Sequence, residues 1–177
     1  MKNIFKRIKG RLNKVDYVKD AKKLGVRVGK DVSITGPIFW GSEPFLISIG
    51  DNCVLSWWIR FVTHDGGVNI ARNLYNDKTL DLIAPIKVGK NCFIGMGTTV
   101  LYGTTIGDNV LIGASSVVKG NLESNSVYAG IPAKRICSIE EWYKKNKSQM
   151  LHTKLMSEDE KNAFLKKMFL DENGNLK

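Results

Sequence analysis

An aliphatic residue returns at every sixth position along the second half of this chain, at Val88, Ile94, Val100, Ile106, Ile112 and Val118. Glycine follows four of these six, at Gly89, Gly95, Gly107 and Gly113. Two positions earlier in each hexad stands a small or apolar residue: Ile86, Cys92, Thr98, Thr104, Val110 and Ser116. The same frame runs upstream through Ile49, Leu55 and Phe61, and more faintly at Val28 and Ile34. A short phrase recurs with it, as VGKD from Val28, IGDN from Ile49, VGKN from Val88 and IGDN from Ile106.

A period of six suits neither an α-helix, at about 3.6 residues per turn, nor a hairpin meander. It suits short strands joined by tight corners, each strand turning two side chains inward. The corners call for Gly, Asn or Asp, which tolerate positive φ better than other residues. Three hexads make one triangular coil, and stacked coils bury a continuous core.

The stretch IGMGTTVLYGTTIGDNVLIGASSVVKG, followed by YAGIPAKRI, resembles the last coils and closing segment of the hexapeptide-repeat acyltransferases, in particular the sugar O-acetyltransferases. The resemblance covers roughly residues 26–136. It implies a mainly β chain, a left-handed parallel β-helix of hexapeptide repeats, against the usual right-handed crossover rule. Flanking this, residues 1–25 form a basic N-terminal extension, expected as a helical cap, and residues 137–177 a helical C-terminal tail. In that tail Ser138 with Glu141, and Ser157 with Glu160, have capping-box spacing, which predicts helices near 139–149 and 158–170.

The repeat frame breaks twice. Three extra residues enter between Ile34 and Ile49, around Phe39–Pro44, and residues 65–84 have no hexad phase. A long excursion from a compact solenoid is usually functional or disordered. His64 stands at its mouth, in register with Asp31, Asn52, Trp58, Asn91, Gly97, Gly103, Asn109 and Ser115, the corner column. A corner side chain can face a groove instead of the core. The resemblance implies that His64 is the general base that takes the proton of an acceptor hydroxyl. Imidazole suits this task because its pKa lies near working pH. The group orienting its second nitrogen stays open among Asp65, Glu43, Asp51 and backbone carbonyls, with Asp65 awkwardly adjacent. His152 falls in the tail and is expected to be a solvated helix residue.

The resemblance also implies acetyl-CoA as co-substrate. Met96, Gly97 and Ala114 fall where the family contacts the donor. Lys119 is displaced by one position from a family Thr-Lys pair, and Lys134, with its neighbour Arg135, matches a cation that reaches the CoA phosphates. Structural readings stand beside these: Ala114 and its neighbours suit a narrow coil, and Lys134 and Arg135 suit a solvated end. Tyr102 departs from the Pro-Gly usual at its corner. Cys53 and Cys92 fall in the small inward column and read as packing residues. A zinc site of this fold needs several histidines, and the chain has two, so no metal is expected.

Trp57, Trp58, Arg60 and Trp40 lie on the coil of His64 or on the insertion before it. They are candidates for an acceptor pocket or for subunit contacts. The family assembles as homotrimers with sites between subunits, and a homotrimer is expected here.

Charge limits the remaining classes. Lys and Arg total 27 against 17 Asp and Glu, a formal +10 concentrated in the flanks. No aromatic-basic module accompanies it, so nucleic acid is not an expected partner. No apolar run approaches a membrane span or a signal peptide, and a cytoplasmic protein is expected. The basic N-terminal helix reads either as a cap on the first coil or as a peripheral contact with the anionic inner face of a membrane. The function expected is acetyl-CoA-dependent O-acetylation of a sugar in surface polysaccharide synthesis. Alternatives are a xenobiotic acceptor of streptogramin or chloramphenicol type, amino-sugar N-acetylation, or a non-catalytic scaffold.

Overall fold

The computed structural model describes residues 15–177; most of the basic N-terminal extension read above lies outside the described residues. The chain divides into two compact units, up to Trp142 and from Tyr143 to Lys177.

The first unit is a three-faced parallel coil. A helix, α1 (Tyr17–Lys23), capped by Asp16, precedes it and buries Ala21. The strands then follow as β1 (Arg27–Val28), β2 (Ser33–Ile34), β3 (Ile47–Ile49), β4 (Val54–Leu55) and β5 (Arg60–Val62). After the excursion, which holds α2 (Val68–Leu74), come β6 (Ile86–Val88), β7 (Phe93–Ile94), β8 (Thr99–Leu101), β9 (Thr105–Ile106), β10 (Leu111–Ile112), β11 (Val117–Val118), β12 (Asn121–Leu122), β13 (Ser126–Gly130) and β14 (Ala133–Ser138). Successive strands go to successive sheets. One sheet runs β1-β3-β6-β9-β12, another β2-β4-β7-β10-β13-β14, and the third β5-β8-β11. Among the described residues these strands pair in parallel, except in the β13–β14 hairpin.

Both inward columns behave as the repeat requires. Leu55, Phe61, Ile94, Val100, Ile112 and Val118 are fully buried, as are Ile47, Cys53, Ile59, Ile86, Thr98 and Thr104 in the second column. Each large aliphatic side chain so buried stabilises by about 1.5–3 kcal/mol. The inward threonines satisfy their hydroxyls on backbone carbonyls, Thr98 on Gly113 and Thr104 on Leu101. Cys53 and Cys92 point their thiols at the carbonyls of Gly89 and Gly107, at 3.1 Å each.

The recurring phrase has a physical cause for each letter. At Gly89 a Cβ would stand 2.6 Å from the Gly107 carbonyl oxygen of the next coil, so no side chain fits. The aspartates bind the neighbouring coil: Asp51 accepts from the Lys30 amide and Asp108 from the Lys90 amide. The asparagines take the left-handed corner, φ 53° at Asn91 and 55° at Asn109, and ladder through their amides, Asn91 to Asn109 to Asn125.

The tail helices form at their capping boxes, α3 (Ile139–Asn146) behind Ser138–Glu141 and α4 (Glu158–Phe169) behind Ser157–Glu160. No helix among the described residues is long and apolar enough to cross a membrane.

Candidate active site

At Thr63 the chain leaves the coil. Two backbone bonds close the neck of the excursion, Ala84 N–H to the Thr63 carbonyl at 3.0 Å and Asp65 N–H to the Leu82 carbonyl at 2.9 Å. His64 bridges Ile83 in antiparallel fashion between them. This corrects the corner reading. The other residues of that column all have positive φ, but His64 does not. Its backbone is held by the returning strand of the loop, not by a turn into the next face.

The insertion after β2 brings the partner. Gly41, at φ 70°, crosses so near the end of β5 that a Cβ there would stand 2.9 Å from Thr63 Oγ1 and from the Phe61 carbonyl oxygen. That close approach carries Glu43 to the neck. Glu43 Oε2 lies 3.2 Å from His64 Nδ1, and the buried Thr63 hydroxyl donates to the same oxygen. Of the orienting groups left open by sequence, the structure selects Glu43.

The electrostatics follow from the bonds. The Thr63 hydroxyl, opposed by partial burial and aided by His64, holds the Glu43 carboxyl below the usual carboxylate range. An ionised carboxylate only accepts. Nδ1 therefore carries a proton, so in the neutral imidazole the lone pair lies on Nε2. The imidazole side chain is 39% exposed and so is open to a ligand. Thr63 was not singled out in the sequence. Its signal there is a hydroxyl on the inward face where the frame ends.

Asp65 turns away from the imidazole. Its Oδ1 accepts from the Gly67 amide at 2.8 Å, and its Oδ2 accepts from the Tyr102 hydroxyl at 2.9 Å. Lys119 Nζ donates to that same hydroxyl at 2.9 Å and lies 4.3 Å from the centre of the Tyr102 ring. Asp65, Tyr102 and Lys119 thus sit one above another along the edge of the coil that carries His64.

Lys119 apart, the donor candidates occupy a different edge. Gly97 N–H bonds the Trp57 carbonyl and Ser115 N–H bonds the Met96 carbonyl, so Trp57–Trp58, Met96–Gly97 and Ala114–Ser115 form successive corners. Met96 is 47% exposed and Ala114 is exposed. Lys134 pairs across the hairpin with Ala129, which lies against Gly113 beside Ala114. Lys134 is exposed, whereas Arg135 bonds Ser126 Oγ at 3.1 Å and approaches Glu123.

The aromatic candidates separate. Trp40 is buried and stacks on Phe61, with rings 5.0 Å apart and 1° from parallel, so it does not face an acceptor. The insertion folds inward there because Phe61 offers a flat apolar surface. Trp57 lays its indole over Gly36 yet stays partly exposed. Trp58 is 58% exposed and adopts φ 56°, an outlying conformation for a bulky residue. Trp58 and Arg60 line an open cleft of about 320 Å³ with Phe39 and Pro37. His152 lies exposed in the second unit. Among the described residues no group of three or more His, Cys, Asp or Glu could hold a metal ion.

Four similarities to known proteins bear on the chain. The bacterial transferase hexapeptide (six repeats) family matches residues 85–120. Protein CapG of Staphylococcus aureus is 38% identical over 172 residues, 96% of each chain. The putative lipopolysaccharide biosynthesis O-acetyl transferase WbbJ of Escherichia coli K12 is 46% identical over 59 residues, 33% of this chain and 30% of that protein. Among solved structures, a maltose O-acetyltransferase from Clostridium difficile 630 superposes with a TM-score of 0.54 at 25% identity, over 72% of this chain and 77% of that one.

Proposed function

Because this chain belongs to the hexapeptide-repeat acetyltransferase family, we propose that it transfers an acetyl group from acetyl-CoA to a sugar hydroxyl in surface polysaccharide synthesis, with His64 as general base. The family relationship gives the coil its left-handed sense. The observation that carries the catalytic assignment is the Glu43–His64 pair, which leaves Nε2 free at the mouth of the loop. WbbJ, by its name a putative O-acetyl transferase of lipopolysaccharide biosynthesis, and the maltose O-acetyltransferase support the acceptor class.

The residues present fit a CoA thioester. An exposed methionine and small corner residues leave room along one edge, and the exposed Lys134 lies near its end for phosphate oxygens, with Arg135 beside it. Acetyl-CoA supplies the acetyl group as an activated thioester. His64 Nε2 takes the proton of the acceptor hydroxyl as that oxygen attacks the thioester carbonyl, Glu43 stabilises the imidazolium that results, and as the C–S bond breaks the imidazolium returns the proton to the departing CoA sulfur. General-base assistance of this kind contributes roughly 10²–10⁴-fold. Trp57, Trp58 and Arg60 offer flat faces and a cation for the sugar.

The base and the donor edge sit on different corners of one coil, joined by the β5-β8-β11 face. A homotrimer resolves this, with the His64 edge of one copy set against the Met96–Ala114 edge of the next. The basic N-terminal segment suits an acceptor presented at the inner membrane face of a cytoplasmic pathway.

The test is to incubate the protein with acetyl-CoA and a panel of mono- and oligosaccharides, following thiol release and the product's stability to mild base. Acceptor-dependent release of a base-labile product supports sugar O-acetylation. A base-stable product assigns an amino-sugar acceptor instead, and no CoA binding at all leaves a scaffold.

A further inference from the structure

The excursion that carries His64 has little to hold it to the coil. Its helix α2 buries no residue, and Ile70, Leu74 and Tyr75 are 71%, 69% and 73% exposed. Arg72 is used within the loop, on the Leu80 carbonyl and on Asp81. Against this stands Asp65, the residue after His64, whose amide and two carboxylate oxygens reach in three directions. Its amide closes the neck on Leu82, its Oδ1 begins the loop turn on Gly67, and its Oδ2 reaches down to Tyr102 on the next coil.

The direction of this chain of bonds is set by chemistry. A carboxylate cannot donate and an ammonium cannot accept. Tyr102 must therefore give its proton to Asp65 and take one from Lys119. Lys119 also lies over the ring, a cation–π placement. The hydroxyl is gripped from both sides, and a tyrosine at a corner where the family resemblance leads one to expect Pro-Gly has a definite role.

We infer that Tyr102 is a positioning residue for the transfer: clamped by Lys119, it fixes Asp65 and so the loop neck and the imidazole of His64. This rests on His64 being the base. Lys119 is on this account a brace for Tyr102 and not a contact for the donor's phosphates. The charges agree. Hydrogen bonds from Gly67 and Tyr102 hold the Asp65 carboxyl low, and the bond to Tyr102 raises the Lys119 ammonium, so both stay charged around neutral pH.

The experiment compares wild type, Tyr102→Phe, Lys119→Met and His64→Ala as full chains. It measures acetyl-transfer kinetics together with hydrogen exchange at the Asp65 and Ala84 amides. For Tyr102→Phe the expected result is a kcat lower by roughly 10–100-fold, the effect of a small misplacement, with the KM for acetyl-CoA unchanged. Exchange at the two neck amides should rise about tenfold, the worth of one hydrogen bond, while that at Gly95 and Gly107 in the coil stays as in wild type. Lys119→Met, at an exposed position, should move the same readouts in the same direction, and it decides the matter if Tyr102→Phe does not fold. Unchanged kcat and neck exchange in the folded variants would overturn the inference. So would a Lys119→Met protein with raised KM for acetyl-CoA but wild-type kcat and exchange, the mark of a donor contact. Full activity in His64→Ala would remove the base itself, and the exchange data would then report the clamp separately from the chemistry.

Discussion

Glu43 Oε2 stands 3.2 Å from His64 Nδ1 although the two residues come from opposite ends of a full coil, one in an insertion and the other at the mouth of an excursion. Both irregularities of the repeat thus meet at one point. The regular hexads build the frame, and the breaks in the frame build the candidate site.

The first consequence is kinetic. Glu43→Gln keeps the shape but replaces the carboxylate with an amide that can present either a donor or an acceptor to Nδ1, so the tautomer is no longer enforced. We expect kcat to fall by about 10²–10⁴-fold, the range spanned by loss of such an orienting carboxylate, with acetyl-CoA binding retained. Steady-state kinetics with isothermal titration of CoA checks this.

The second concerns acid. The folded-state pKa of Glu43 is depressed, so its contribution to stability is present above the unfolded value, about 4.3 for a free glutamate, and is lost as pH falls through the folded value. Urea unfolding of wild type and Glu43→Gln should show a stability gap at pH 7 that closes as pH drops below 4. A gap that persisted unchanged into strong acid would contradict the assigned hydrogen bonds.

The third tests the repeat phrase. At Gly107 a Cβ would stand 2.5 Å from Ser124 Oγ and 2.7 Å from the Ser124 amide nitrogen, whereas Asn109 needs only its φ of 55° and a side-chain amide. Gly107→Ala should cost about 1–3 kcal/mol through strain of the stacked backbones. Asn109→Gly should cost less, because the loss of its two exposed side-chain amide bonds is offset by glycine's ease at positive φ. Denaturant unfolding of both variants decides the order.

The fourth uses the cysteines. Cys53 and Cys92 are buried, and Cys137 is partly exposed. The neighbouring Cys92, through its thiol and through the backbone amide that donates to the Cys53 sulfur, lowers the Cys53 pKa, yet burial denies reagents access. A thiol reagent should label Cys137 in the folded protein and the other two only on unfolding. Rapid native labelling of Cys53, read by peptide mass, would show the coil to be open there.

The fifth separates strain from packing at Trp58. Trp58→Gly relieves the left-handed backbone, and glycine suffers no such penalty. The thermal midpoint should hold or rise, while the KM for the sugar acceptor increases. A loss of stability without change in KM would place Trp58 in subunit packing.

The sequence made the coil legible because burial and backbone conformation share one period. Val88 to Val118 gives the inward column, and Asp31, Asn52, Asn91 and Asn109 give the left-handed corners. The site was legible in part. His64 was marked by the end of the frame, but its column suggested a corner, and only the bonds to Leu82 and Ala84 show the chain leaving the coil. Glu43 could not be chosen over Asp51 or Asp65, since the choice depends on how Gly41 crosses Thr63. Trp40 and Trp58 look alike in sequence, and the stack on Phe61 separates them.

The most direct test of the account is thiol release from acetyl-CoA with an accepted sugar, comparing wild type with His64→Ala. The account predicts acceptor-dependent turnover in wild type and a loss of about 10²–10⁴-fold in the variant, with the oligomer and CoA binding intact. Wild-type turnover in a correctly folded His64→Ala protein would contradict it.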